Sequence, residues 1–459
     1  MIQKNVPAYF ESNEIITLAE YYAEKGRINM AERVIDYGIT LYPDDLDILL
    51  YKCHNLTIRG KLAEAHVLLD SIPDKNDREV ILMQARILLE EQETKQADNI
   101  LLSLYKQEQD LDTMLDIADL YMDSGLHKEA YNWLLKAYAM APDETDVLES
   151  FIDYHFSFGN FQEATVFLNK LLDKNPYEIR HWLDLTKAYL QLNNIEKASE
   201  AVDFALTIDS DSPEALELKG HCLMQEGKYE ETCRLFSRVE QMVTDKSRIR
   251  HILLNCYLVC MDFQKALTYC NLLIQEPGML NTELSEFFQK RAQCYLFLDN
   301  LKQCEADIEA SLLYNDQNDE AYLTKGEMLL SIEKEAEAEQ AFSKAKQWAF
   351  DLGETIIRIA RAYFRWNYIK EALQTFAYVE QNFPKKMESD YYFMAFCYYV
   401  LGEEKNMFKY LVRGAVNHPA TLAHNPIIPS NDAEQEFFKY AEIVATQIRE
   451  GNIDPTPYL

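Results

Sequence analysis

The sequence predicts an all-α, right-handed superhelical solenoid of about twelve helix–turn–helix repeats, closed by a C-terminal capping helix. Three observations carry that reading. A small residue followed twelve positions later by alanine recurs along the chain, most plainly as Ala19 and Ala31, Ala85 and Ala97, Ala118 and Ala130, and Ala360 and Ala372. A tyrosine or leucine stands three residues after the first small residue, as Tyr22, Leu88, Tyr121 and Tyr363. The period is close to 34 residues, too short for a unit to bury its own apolar face, so each must stack on its neighbours.

Counted in register, the second small position falls at Ala31, Ala65, Ala97, Ala130, Ala164, Ala198, Thr232, Ala266, Cys304, Ala338, Ala372 and Met407, which makes twelve units. The aromatic slot reads Tyr22, Leu56, Leu88, Tyr121, His155, Tyr189, Leu223, Tyr257, Tyr295, Leu329, Tyr363 and Tyr398; His155 alone departs from Tyr or Leu. Within the first unit, apolar residues recur at helical intervals over Ile15 to Ala23 and again over Met30 to Leu41, and Gly26 ends the first of these helices. Paired alanines let the two helices of a hairpin approach closely where they cross. Pro43, Pro142, Pro176, Pro384 and Pro419 close their units where a helix must stop. Four extra residues around Glu276 to Leu284, with Pro277-Gly278 inside, break the register and read as a longer loop.

This organisation gives a lead-in over residues 1–11, the repeat array over 12–421, and a terminal region over 422–459. The terminal region comprises a Pro-rich break from His424 to Ser430, an amphipathic helix from Asp432 to Arg449 that caps the array, and a flexible or extended tail from Asn452 to Leu459. No Gly/Ser-rich or Pro-rich linker interrupts the repeats.

The pattern resembles the tetratricopeptide repeat family. The sixth unit shows Trp182, Leu185, Tyr189, Ala198 and Ala205, and the fourth shows Ala118, Tyr121, Gly125, Ala130, Ala137 and Pro142, at the family's offsets. The resemblance implies a scaffold that binds a protein or peptide in the groove lined by the first helices. Chaperone-binding members hold a C-terminal carboxylate with Lys and Asn on one first helix, Asn on the next and Lys or Arg on a third. Here Asn255 is followed in the next units by Gln293 and then by Glu320 and Thr324, so that clamp is absent.

Composition narrows the partner. Asp and Glu number 76 against 45 Lys and Arg, a formal net charge of −31. A phosphate-backbone partner needs a basic surface that releases counterions, so no nucleic-acid partner is expected. No window reaches the ~18 apolar residues of a membrane span, and the first twelve residues lack a signal-peptide pattern, so no membrane insertion and a cytoplasmic location are expected. Of nine cysteines, Cys222, Cys256, Cys294 and Cys397 precede the Tyr/Leu slot and Cys53 and Cys304 occupy the small-residue slots, which are packing positions. No metal site and no cofactor are expected.

Projecting the first helices inward gives three regions of distinct chemistry. The fourth and fifth units present Asp112, Asp119, Asp123, Asp146, Glu149 and Asp153, a cluster suited to a basic peptide. The sixth and eighth offer Arg180, Lys187, Arg248, His251 and Asn255 as a small basic island. The eleventh and twelfth give Arg361, Phe364, Arg365, Tyr392, Phe396 and Tyr399: two arginines one helical turn apart beside aromatic rings, able to hold an extended peptide through a carboxylate. The competing reading of that aromatic run is a solenoid end covered by the terminal helix.

Phosphate loops, dinucleotide fingerprints, HExxH and GxSxG are all absent, so no enzyme is expected. The leading functional expectation is a non-enzymatic protein-interaction scaffold. The alternative is a regulatory or structural subunit of a larger enzyme or secretion complex.

Overall fold

In the computed structural model, residues 10–387, 390–417 and 432–458 are described. The Pro-rich break His424 to Ser430, Pro419, Leu459 and the first nine residues lie outside them, as does the side chain of Phe438. The chain forms two compact units, residues 1–226 and 227–459.

The N-terminal unit is built of antiparallel helix pairs: α1 (Ser12–Glu24) with α2 (Ile28–Leu41), α3 (Leu46–Ile58) with α4 (Leu62–Ser71), α5 (Arg78–Glu90) with α6 (Thr94–Glu108), and α7 (Leu111–Asp123) with α8 (His127–Met140). It continues with α9 (Thr145–Ser157) and α10 (Phe161–Lys174), α11 (Ile179–Gln191) and α12 (Ile195–Ile208), and ends in α13 (Pro213–Gln225). The C-terminal unit starts with α14 (Tyr229–Met242), followed by α15 (Ser247–Val259) with α16 (Phe263–Ile274), α17 (Asn281–Phe297) with α18 (Leu301–Tyr314), and α19 (Asp319–Ser331) with α20 (Glu335–Trp348). The pairs α21 (Leu352–Arg365) with α22 (Ile369–Asn382) and α23 (Asp390–Val400) with α24 (Glu404–Asn417) follow, and α25 (Asp432–Arg449) packs on α24. The chain is therefore an all-α repeat solenoid, with no strand among the described residues.

The small-residue pairs make the hairpins. Ala19, Ala85, Ala118 and Ala360 have no exposed surface, and nor do their partners Ala97, Ala130 and Ala372. Each turn inside a hairpin contains one residue in the left-handed region. Gly26, Gly60, Gly125, Gly159, Gly227 and Gly402 fill six of these positions, and Gln92, Asn193, Met261, Asp299, Glu333 and Asn367 fill the other six with φ between 54° and 65°. Links between hairpins restart the helix with side-chain caps: Asp45 accepts from the Ile48 amide at 3.1 Å, Asp110 from Thr113 at 2.8 Å and Asn318 from Ala321 at 3.0 Å.

Two sequence expectations change here. The four-residue insertion is not simply a longer loop. α17 begins fourteen residues before its slot residue Tyr295, against ten for α15 before Tyr257 and α19 before Leu329. The insertion thus becomes an extra helical turn, started by the Glu283 carboxylate accepting the Leu280 amide at 2.8 Å. The tail after α25 is not extended into solvent either. Thr456–Tyr458 form a 3₁₀ turn against α24, where Arg413 Nε donates to the Tyr458 carbonyl at 2.9 Å and the Tyr458 ring meets Phe408 edge-on at 5.2 Å.

Candidate functional site

In the N-terminal unit, successive first helices lie side by side, α3 on α5, α5 on α7 and α7 on α9. On α7, Asp112, Asp116, Asp119 and Asp123 recur at intervals of three and four residues, and on α9 Asp146, Glu149 and Asp153 do the same, so each set forms one stripe. Asp112, Asp119, Asp123, Asp146 and Asp153 are exposed, and Glu149 is half-buried.

Several of these charges are answered within the unit. Arg86 Nη1 sits 2.8 Å from Asp123 Oδ2, Arg78 pairs with Asp116, and His181 Nε2 lies 3.0 Å from Glu149 Oε1. Asp119 has no such partner among the described residues. Although Asp119 is exposed, packed neighbours partly desolvate the inner side of its carboxyl, and Asp116, Asp123 and Asp153 surround it with like charge. Its carboxyl is consequently pushed up to about 6, against the opposing pull of Arg86. Asp153, Asp116 and Glu79 are raised in the same direction, each first by burial. Carboxylates held close to one another in this way are relieved when a cation arrives.

Beside this stripe lies a depression of about 500 Å³, to which four first helices contribute. Ile16 of α1, Leu50 and Tyr51 of α3, and Leu82 and Met83 of α5 supply an apolar floor. Asp47, Glu79, Asp116 and Asp119 supply carboxylates, with Arg86 and His54 between. Sequence projection named Asp119 but missed the floor and the two arginines. Arg78 and Arg86 precede their carboxylates by 38 and 37 residues, roughly one repeat, which is the signal that finds them.

The aromatic region of the C-terminal unit is arranged differently from the projection. Tyr392 is fully buried and lies flat on Gly414, where an added Cβ would come within 2.9 Å of its ring, so it is a hairpin core residue and not a groove residue. Phe396 is buried, edge-on to Phe437 of α25 at 5.2 Å, and Tyr399 meets the same ring at 5.5 Å. Phe364 packs on Phe393 and Phe396 at 4.9 and 5.6 Å. Arg361 holds the fully buried Asp390 with two hydrogen bonds of 2.7 Å. Arg365 bonds Glu327 at 2.7 Å and lies 5.0 Å over the Phe297 ring. The capping helix thus covers the rings and internal carboxylates occupy the arginines, because an array end must bury its last apolar face.

The members of the basic island fall in different units, Arg180 and Lys187 in the first and Arg248, His251 and Asn255 in the second. Lys187 is engaged by Asp184 and Glu214 at 3.0 and 2.9 Å, and Asn255 accepts from Lys290 at 3.0 Å. All nine cysteines are unbridged, eight of them buried. Among the described residues no group of three or more His, Cys, Asp or Glu could hold a metal ion, and no helix is long and apolar enough to cross a membrane.

These features define a helical-repeat scaffold with a solvent-open, carboxylate-rimmed wall. Family models described as tetratricopeptide repeat match residues 111–144 and 155–222. The chain is a tetratricopeptide repeat protein, and repeats of this kind serve as protein-interaction scaffolds. Tetratricopeptide repeat protein 16 of Homo sapiens is 24% identical over 190 residues, which cover 40% of this chain and 21% of that protein. Cilia- and flagella-associated protein 70 of Homo sapiens is 25% identical over 166 residues, 35% of this chain and 14% of that protein. The chain therefore matches about a fifth or less of the length of these curated relatives. A solved tetratricopeptide repeat protein from Parabacteroides merdae is 18% identical, covers 55% of this chain and 98% of its own, and superposes with a TM-score of 0.38.

Proposed function

We propose that this protein is a non-enzymatic scaffold that holds a partner segment against the first helices of its N-terminal unit, the segment carrying a Lys or Arg next to an apolar side chain. The observation that carries this reading is the 500 Å³ depression with its apolar floor and its surplus of carboxylates. An apolar anchor gains burial there, and a neighbouring cation relieves the repulsion around Asp119. With its cysteines all unbridged, the chain suits a reducing, cytoplasmic setting. Net charge of −31 favours rapid encounter with basic partners.

The test is a titration of the full chain with a labelled peptide of alternating Arg and Leu. Asp119→Lys is expected to weaken it by about tenfold or more, equivalent to ~1.4 kcal/mol, while Asp390→Asn leaves it unchanged. Equal affinity of the Asp119→Lys and wild-type proteins for that peptide overturns the reading.

A further inference from the structure

The link between α20 and α21 departs from its counterparts. Links 42–45, 209–212 and 315–318 place acidic and amide side chains at the surface. The link from Trp348 to Leu352 instead reads Trp-Ala-Phe-Asp-Leu, and Phe350 is fully exposed, with relative accessibility 104%. Trp348, Leu352 and Tyr378 are exposed beside it.

This exposure is not the looseness of a surface loop. Asp351 caps α21 by accepting the Glu354 amide at 3.0 Å, and its other oxygen holds Lys386 Nζ at 2.5 Å. Gly353 sits so close to Phe383 that an added Cβ would be 3.1 Å from the ring. The backbone on one side of Phe350 is thus fixed while its ring is left in water. An aromatic carried on fixed backbone loses less conformational freedom on docking than one on a loose loop.

Next to the link, a cleft of about 620 Å³ opens between α20, α21 and α22. Leu352, Ile356 and Tyr378 give it apolar walls, and Lys346 stands at its rim. Lys346 and Lys385 are exposed and make no ion pair or hydrogen bond among the described residues, whereas the local carboxylates Asp351 and Glu354 already face Lys386. The patch is therefore locally cationic on a chain of net charge −31. A second copy of the chain would meet overall repulsion.

We propose that Phe350 and the adjoining cleft form a docking site for an amphipathic segment of a partner protein that presents apolar side chains together with carboxylates. The site is separate from the carboxylate-rimmed wall and takes a partner of opposite charge. One scaffold then holds two chemically distinct partners.

The experiment is fluorescence anisotropy of the full chain with a labelled amphipathic peptide of Leu, Phe and Glu. Binding is expected to weaken by about tenfold in both Phe350→Ser and Lys346→Glu and to be unchanged in Val67→Ser, with melting temperature unaltered because the altered side chains are exposed. Absence of binding, or binding indifferent to Phe350→Ser, overturns the proposal. So does a wild-type dimer in sedimentation velocity that Phe350→Ser dissolves, which makes a second copy the occupant. Phe350-dependent sedimentation with phosphatidylcholine–phosphatidylserine vesicles also overturns it, in favour of a lipid surface.

Discussion

Close approach at the small-residue positions is the physical basis of every hairpin, and Gly326 offers its sharpest test. It occupies the first small slot of its hairpin, and a Cβ built there would lie 2.2, 2.5 and 2.7 Å from three carbons of the Phe342 ring. Ordinary contact begins near 3.4 Å, so the ring, buried at 1% exposure, must retreat by about 1.2 Å. Overpacking of that kind costs roughly 2 kcal/mol. Replacing a helix-interior glycine by alanine contributes about 1 kcal/mol in the other direction. Gly326→Ala is therefore expected to destabilise by about 1 kcal/mol. In a Phe342→Leu background the obstruction is gone and the same change is expected to stabilise by about 1 kcal/mol, a coupling of roughly 2 kcal/mol. Native-state hydrogen exchange across α19 and α20 reads this locally, which suits an array whose units open separately. If Gly326→Ala alone stabilises the pair, the close-approach argument is refuted.

Further consequences can be measured. Asp119 has its carboxyl raised to about 6, so the folded chain binds that proton more tightly than the unfolded one, and its charge opposes folding above that value. Asp119→Asn is expected to stabilise the N-terminal unit at neutral pH, with the advantage fading as pH falls through about 6, as urea melts at a series of pH values will show. His155 is buried beside the stacked pair Phe151 and Phe167, its Nδ1 without a hydrogen-bond partner among the described residues, and burial lowers its pKa, so stability is lost as pH falls below the unfolded value of about 6.5. His155→Leu, the residue several other repeats use in that slot, should flatten this acid limb of the thermal melts. Asp390→Ala removes the fully buried carboxylate that accepts two hydrogen bonds from Arg361 and is expected to cost about 2 kcal/mol, read as accelerated exchange in α23.

The fold was legible because its determinants are periodic. Twelve small-residue positions and a Tyr/Leu slot recur in register, and beyond the repeats apolar residues at helical intervals predict the helix at Asp432 to Arg449. What the period cannot express was harder to read. Whether Phe396 and Tyr399 face a partner or the chain itself depends on where Phe437 folds back, a contact some forty residues away. An insertion of four residues is one turn of helix as readily as a loop, and only the Glu283 cap decides it. On the wall, the charged residues were visible as stripes on α7 and α9, whereas the floor of Ile16, Leu50 and Met83 reads as ordinary helical apolar content until neighbouring helices leave it uncovered.

The account rests most heavily on partners meeting the first helices of the N-terminal unit. Site-specific photocrosslinking tests that directly, with p-benzoylphenylalanine at Met83 on the floor and, as a comparison, at the exposed Val67 of α4. In cells, the account predicts a discrete crosslinked species from Met83 that Asp119→Lys abolishes, and none from Val67. A crosslink from Val67 with none from Met83 would contradict it.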